Sequence, residues 1–314
     1  MKNKIILTAS ALLLTLSTFA QQDIAFSQYF FNPMYVNPAY AGSRGTFSGT
    51  AVYRTQWVGI QGAPQTGLLG VSDMVPNSNV GLGLQVYSDN VGPMTNTTVS
   101  GIFAYHIPLG KELKLSLGLE GCMDNLTFSY NKLILPNSED PSFSGTTSMM
   151  VPDANAGAYL YEDHFFAGFS VKHLMQPSFG ILNDYNTGSD FYRSYYLTTG
   201  VVIPISDNVG IRPSILAKYV EGAPVDLDID ASLIFHDRFY IGAGIRTDKR
   251  EDITGMDNIF VASIEYDVAN RLRIGYSYDF YLSNDGPSPY GTHEIMIGWD
   301  IYCTKTKMTS PKYF

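Results

Sequence analysis

Along much of this chain apolar and polar residues alternate one for one, a pattern satisfied by extended strands whose two faces meet different surroundings. In RLRIGYSYDF at 271–280, Leu272, Ile274, Tyr276, Tyr278 and Phe280 share one face, while Arg271, Arg273, Gly275, Ser277 and Asp279 share the other. Leu113, Leu115, Leu117 and Leu119 oppose Lys114, Ser116, Gly118 and Glu120 in the same way. Val225, Leu227 and Ile229 oppose Asp226, Asp228 and Asp230, and Ile295, Ile297, Trp299 and Ile301 oppose Glu294, Met296, Gly298 and Asp300. The same reading places strands at 46–57, 65–74, 80–89, 96–107, 112–125, 153–161, 165–174, 193–204, 208–218, 225–235, 239–247, 257–268, 271–281 and 291–302. That is about 14 strands, most of them long enough to cross a bilayer at a tilt.

Composition agrees with β structure: 22 Tyr, 18 Phe and 29 Gly, with charged residues at only 16%, below the roughly 25% usual in soluble domains. The connections alternate in length. Short links at 109–111, 162–164, 206–207, 236–238 and 269–270 interleave with long ones at 126–152, 175–192, 247–256 and 282–290, as in spanning barrels with short periplasmic turns and longer outer loops. A soluble β-sandwich or jelly roll also alternates, with its polar faces outside. The loop rhythm, and aromatics at strand ends such as Trp57, Tyr87, Tyr281 and Tyr302, favour an all-β, transmembrane, antiparallel outer-membrane β-barrel with interfacial girdles. An even strand number puts both termini on the periplasmic side.

Residues 1–20 have basic Lys2 and Lys4, an apolar stretch from Ile5 to Leu16 and a small residue at Ala20, the pattern of an export signal. Its removal leaves 18 basic against 29 acidic residues, a net of −11, a charge that repels nucleic acid and anionic lipid surfaces. No Cys follows the signal for a lipid anchor, and no later run reaches the roughly 18 apolar residues of a spanning helix. Cys122 and Cys303 are far apart in sequence and are expected to be free.

Residues 21–45 form a separate segment ahead of the barrel at 46–302. Asn32-Pro33 and Asn37-Pro38 prevent one continuous helix or strand. Yet Phe26, Tyr29, Phe30, Phe31, Tyr35 and Tyr40 are too many aromatics for a disordered leader. Residues 22–44 are therefore expected to fold into the lumen as a plug, or to serve as a periplasmic docking strip.

Nothing in the pattern points to catalysis, a cofactor or a metal. The five histidines, at 106, 164, 173, 236 and 293, lack metal-ligand spacing and read as solvated turn residues, and no nucleophile elbow, Walker loop or dinucleotide fingerprint occurs. A barrel hydrolase would need a Ser, a His and an orienting group at one rim, and no such set stands out. Asp226, Asp228 and Asp230 share one strand face rather than an EF-hand loop. They read as lumen lining paired with Arg212 or Arg246, alongside Arg54, Arg271, Arg273, Asp279 and Glu294. Residues 303–314 form a tail in which Pro311 stops the last strand, leaving a short periplasmic peptide.

At FSQYFFNPMYVNPAYAGSRG (26–45), YRTQWVGIQGAPQT (53–66), NVGLGLQVYSDNVGP (79–93), YHIPL (105–109), KYVEGAPVDLDIDASLIF (218–235), LRIGYSYDF (272–280), HEIMIG (293–298) and the closing SPKYF, the chain resembles the PorP/SprF family of the type IX secretion and gliding motility apparatus of Bacteroidota. The tail Pro311, Lys312, Tyr313 and Phe314 differs from the family's frequent Ser-Pro-Arg-Tyr-Phe by a lysine that lacks the guanidinium fork. The resemblance implies plug or partner contacts at Phe26, Ser27, Gln28, Tyr29, Asn32, Pro33, Asn37, Pro38, Tyr40 and Gly42. It also implies an outer-membrane location in contact with lipid, periplasmic ring components as partners, and a secreted adhesin with a C-terminal sorting domain as cargo. The expected function is non-enzymatic docking or anchoring of such surface proteins. A diffusion pore or solute-specific channel is the alternative, motivated by the charged inner faces.

Overall fold

The computed structural model describes residues 23–132, 145–179, 189–221, 223–248, 257–268, 271–281 and 291–301. The export signal, Cys303, Tyr302, the turn at 269–270 and the tail with Pro311, Lys312, Tyr313 and Phe314 lie outside the described residues.

The strands are β1 (Phe47–Thr55), β2 (Gln65–Met74), β3 (Val80–Val91), β4 (Met94–Pro108), β5 (Lys114–Ser129), β6 (Thr146–Tyr161), β7 (Phe165–Lys172), β8 (Ser178–Phe179), β9 (Ser189–Asp190), β10 (Ser194–Val201), β11 (Ile203–Ser206), β12 (Val209–Val220), β13 (Asp226–Phe235), β14 (Phe239–Asp248), β15 (Asp257–Val268), β16 (Leu272–Tyr281) and β17 (Thr292–Ile301). Each barrel strand pairs antiparallel with its neighbours. The sheet closes through β1 with β17 and β10 with β12, giving fourteen strands with β11 as an extra piece; β8 and β9 form a separate hairpin. Closure removes the sheet edges, the condition for a β structure to span a membrane.

The alternation resolves into inside and outside. On β3 and β5, Leu84 and Leu119 are 64% and 62% exposed, whereas Arg54 on β1 and Glu294 on β17 are 1% and 0% exposed. An apolar exterior around a polar interior is the reverse of a soluble sandwich and the signature of a lipid-facing wall.

One end of the barrel carries the links 75–79, 109–113, 162–164, 207–208 and 236–238, and the chain enters β1 and leaves β17 there. The other end carries 56–64, 130–145, 173–193 and 221–225, with one tight turn at 92–93. These are the short-turn end and the long-loop end.

Departures from the sequence reading are local. The expected loop 126–152 loses both its ends to the wall, because the ladder of β5 and β6 continues to Ser129 and Thr146. Pro152 sits inside β6 without disrupting it. It pairs with Met123 of β5, while the pairing of β6 with β7 begins only at Ala156, so its missing N–H faces no partner. The single strand expected at 193–204 is interrupted at Val202, which is buried and donates its N–H to the His164 carbonyl.

The aromatics do not all form girdles. Tyr87 faces inward against Tyr35, and Trp57 donates its indole N–H to Tyr281 at 2.7 Å. The histidines also divide. His164 and His236 lie exposed in turns, but His106 and His173 are buried, which corrects their reading as solvated. Arg271 is likewise corrected: it is exposed in the turn before β16, one residue short of the alternating ladder. Cys122 is free.

Candidate functional site

The segment from Asp23 to Thr46 is wound from three short pieces because its Asn-Pro pairs allow nothing longer. They are 3-10 turns at Tyr29–Phe31 and Pro38–Tyr40 and a four-residue helix at Pro33–Val36. Each proline sits at the first position of its turn, where its missing N–H would be unpaired anyway. Asn37 caps the last turn, its side-chain oxygen accepting from the Ala39 N–H at 3.0 Å, as N-cap residues do.

Nearly every residue from Phe26 to Arg44 is buried. The aromatics pack edge to face: Phe26 on Tyr35 at 4.9 Å, Phe30 on Phe31 at 4.3 Å, and Tyr40 on Tyr159 of β6 at 5.6 Å between ring centroids. Glycines make the wall flat where backbone meets backbone. A side chain at Gly118 of β5 would collide with the Ala39 backbone, and one at Gly81 of β3 with the Ala41 carbonyl. Gly42 adopts a positive φ of 78°, a conformation open to glycine at little cost.

Polar contacts fix the direction of the segment. At the long-loop end the Ser27 and Gln28 amides donate to the Glu294 carboxylate at 2.9 and 2.8 Å, and the Ser27 hydroxyl donates to Asp279 at 2.7 Å. Arg54 ties this group together, bonding Asp279 at 2.8 Å, Glu294 at 3.0 Å and the Ser27 oxygen at 2.8 Å. Arg246 bonds Asp228 at 2.8 Å and the Phe26 carbonyl at 3.1 Å.

Deeper in, Tyr29 bonds Ser214 at 3.2 Å, and the Arg212 guanidinium lies 4.5 Å from the Phe30 ring and 4.8 Å from the Phe31 ring. At the short-turn end Arg44 makes a two-pronged bond to Asp300 at 3.0 and 2.8 Å, and His106 bridges the Ala41 carbonyl and the Tyr161 hydroxyl at 2.9 and 2.8 Å.

Asp23 completes the path. Its carboxylate meets His173 Nε2 at 2.7 Å and the Tyr196 hydroxyl at 2.7 Å, and its carbonyl accepts from Lys218 at 3.4 Å. On the other side of the ring, His173 Nδ1 meets Asp153 at 2.6 Å. Burial alone would lower the imidazole pKa, but the two carboxylates outweigh it and hold His173 at about 9. Burial pushes Asp23 the other way, yet His173 and the nearby Lys218 and Lys172 keep its carboxyl well below the usual range.

His173, Tyr196 and Lys218 all lie near strand ends that open onto the long loops. Asp23 and Ile301, the first and last of the described residues, therefore sit at opposite mouths. Above the segment a cavity of about 300 Å³ opens at the long-loop mouth, walled by Phe26, Tyr35, Trp57, Tyr196, Lys218 and Tyr281.

Of the residues expected to line the lumen, Arg54, Arg212, Asp228, Asp230, Arg246, Arg273, Asp279 and Glu294 are buried, and Asp226 is half-buried beside the mouth cavity. In the segment Phe26, Ser27, Gln28, Tyr29, Asn32, Asn37, Pro38, Tyr40 and Gly42 are buried and Pro33 is partly so. No local pattern assigns Asp23, Arg44, His173, Asp153 or Asp300 to the site. Asp23 and Arg44 are the single acid and the single base of residues 21–46. Isolated charges in a neutral, buried segment require partners, and that was the available signal. No spacing marks His173.

Among solved structures, the CymD monoaromatic hydrocarbon channel aligns with a TM-score of 0.52 at 10% identity, over 86% of this chain and 91% of that one. The Acinetobacter baumannii outer membrane protein Omp33 aligns with a TM-score of 0.44 at 10% identity, over 82% of this chain and 100% of that one. At such identity the likeness to CymD concerns the barrel fold alone. No curated protein matches the sequence. Residues 18–299 match the family described as type IX secretion system membrane protein PorP/SprF. That span takes in the N-terminal segment and almost all of the barrel, and with the closed, lipid-facing wall it makes this an outer-membrane component of type IX secretion. The chain belongs to the PorP/SprF family.

Proposed function

We propose that this barrel is a non-enzymatic docking component that anchors secreted surface proteins at its long-loop mouth and contacts the periplasmic secretion machinery through its short-turn end. Residues 23–45 act as a fixed plug. The observation that carries the reading is the continuous burial of this segment, pinned by Asp23 to His173 at one mouth and by Arg44 to Asp300 at the other. A barrel filled this way offers a shaped surface rather than a conduit, and the aromatic cavity at the long-loop mouth suits partner capture. The cargo is a surface protein of the adhesin type with a C-terminal sorting domain, and the C-terminal tail faces the periplasm.

Deleting the gene tests this. Loss of one or a few surface proteins from the cell exterior is expected, whereas unchanged secretion and display would contradict the proposal.

A pore is the second reading, favoured by the charged interior and by the kinship in fold with a channel. In planar bilayers the plugged barrel conducts poorly; ready conductance by the full chain would favour the pore.

A further inference from the structure

On the inner face of the wall, beside the contact that holds Asp23, three unlike ligand groups converge. The Cys122 sulfur and one carboxylate oxygen each of Asp124 and Asp153 lie within 4.8 Å of one another. The ladder puts them there: Cys122 of β5 stands directly opposite Asp153 of β6, and Asp124 follows two residues on, so all three point into the lumen, as strand periodicity requires.

The electrostatics around them are unbalanced. Asp124 is 1% exposed; one of its oxygens accepts from the Thr98 hydroxyl, and the other, Oδ2, is buried without a hydrogen-bond partner. Neither nearby cation forms an ion pair with Asp124. Lys172 sits 3.5 Å from the Tyr35 ring centroid, and His173 lies between Asp23 and Asp153. Glu120, the remaining acid of this wall, accepts from Asn155 at 2.9 Å. A buried carboxylate oxygen without a donor is costly, and a cation at this point would relieve it.

We propose that Cys122, Asp124 and Asp153 form a binding site for a thiophilic divalent cation of the zinc class. Sulfur beside two carboxylates selects against magnesium and calcium, which take oxygen ligands, and for zinc or cadmium. Ligand atoms on a tetrahedral zinc stand about 3.4–3.7 Å apart, so the site closes by roughly 1 Å on binding, within the reach of side-chain rotation. The thiol gives up its proton to solvent as the metal–sulfur bond forms, and the aspartates bind as carboxylates. Asp153 also accepts from His173, which in turn holds Asp23. The metal thus gains an outer-shell imidazole of the kind that orients carboxylate ligands, and the site is continuous with the contact that fixes the start of the segment.

The test uses the full chain in detergent with Cys303→Ser, leaving Cys122 as its one thiol. Cadmium titration followed by the thiolate charge-transfer absorbance in the near ultraviolet is expected to saturate at one equivalent and to be reversed by zinc. In Asp124→Asn, checked for a folded barrel by heat-modifiable gel migration, affinity is expected to fall by about tenfold or more. Unchanged affinity there would mean that the thiol binds alone, and would overturn the site. In the unmodified chain, one equivalent of zinc is expected to protect Cys122 from maleimide, read on the Cys122 peptide by mass spectrometry. Undiminished labelling would overturn the proposal without recourse to any variant.

Discussion

His173 Nε2 and the Asp23 carboxylate meet at 2.7 Å although 150 residues separate them, and this contact fixes where the N-terminal segment begins. Its pH dependence follows from the two pKa shifts. His173 is raised to about 9, above its ordinary value of about 6.5, so its contribution is complete below the ordinary value and is lost as pH rises through 9. Asp23 is lowered, so its contribution is present above the ordinary carboxylate value and disappears in acid as pH falls through the lowered one. Hydrogen exchange of residues 23–31, measured with a chelator present, is expected to be slow across neutral pH and to quicken at both extremes. His173→Ala quickens it at pH 7.

Removing Arg54 leaves Glu294, buried at 0% exposure, without its cation among the described residues, and leaves Asp279 only the more distant Arg246 at 3.7 Å. Stranding buried charges costs about 3–5 kcal/mol, and Arg54→Ala is expected to lower the unfolding temperature of the detergent-solubilised barrel by a correspondingly large step. Arg54→Lys keeps the charge but loses the fork that reaches both carboxylates, and falls between wild type and alanine.

Gly118 and Gly121 are three residues apart on β5 and face opposite sides. A Cβ at Gly118 would strike the Ala39 backbone, while one at Gly121 would meet nothing within 4 Å. Gly118→Val is expected to displace the segment around Pro38–Tyr40, speeding hydrogen exchange there, while strand pairing survives. Gly121→Val adds a β-branched residue to an exposed strand face, which strands favour, and leaves exchange in the segment unchanged.

The barrel wall was legible because lipid outside and polar contacts inside enforce a strict period of two, as at Leu272 to Phe280 and at Glu294 to Ile301. The failures are at places where the period stops carrying information. The expected connection 126–152 ends at Pro152, yet this residue belongs to β6, its missing donor falling on a stretch that β7 does not reach. Arg271 lies in phase with the ladder but just before it starts. His106 and His173 owe their burial to the segment that comes to rest against them, a relation between distant parts of the chain that no local pattern encodes. The placement of Asp23 at the mouth away from β1 has the same origin: strand parity fixes where β1 starts, and says nothing of where the chain before it has travelled.

Crosslinking mass spectrometry on intact cells tests the docking role most directly. With a photocrosslinking amino acid introduced at single positions, crosslinks are expected from the long-loop end, at residues 56–64 and 221, to a secreted surface protein, and from the short-turn end, at 109–113 and 236–238, to periplasmic secretion components. Crosslinks to neither, or surface proteins captured at the short-turn end, would contradict it.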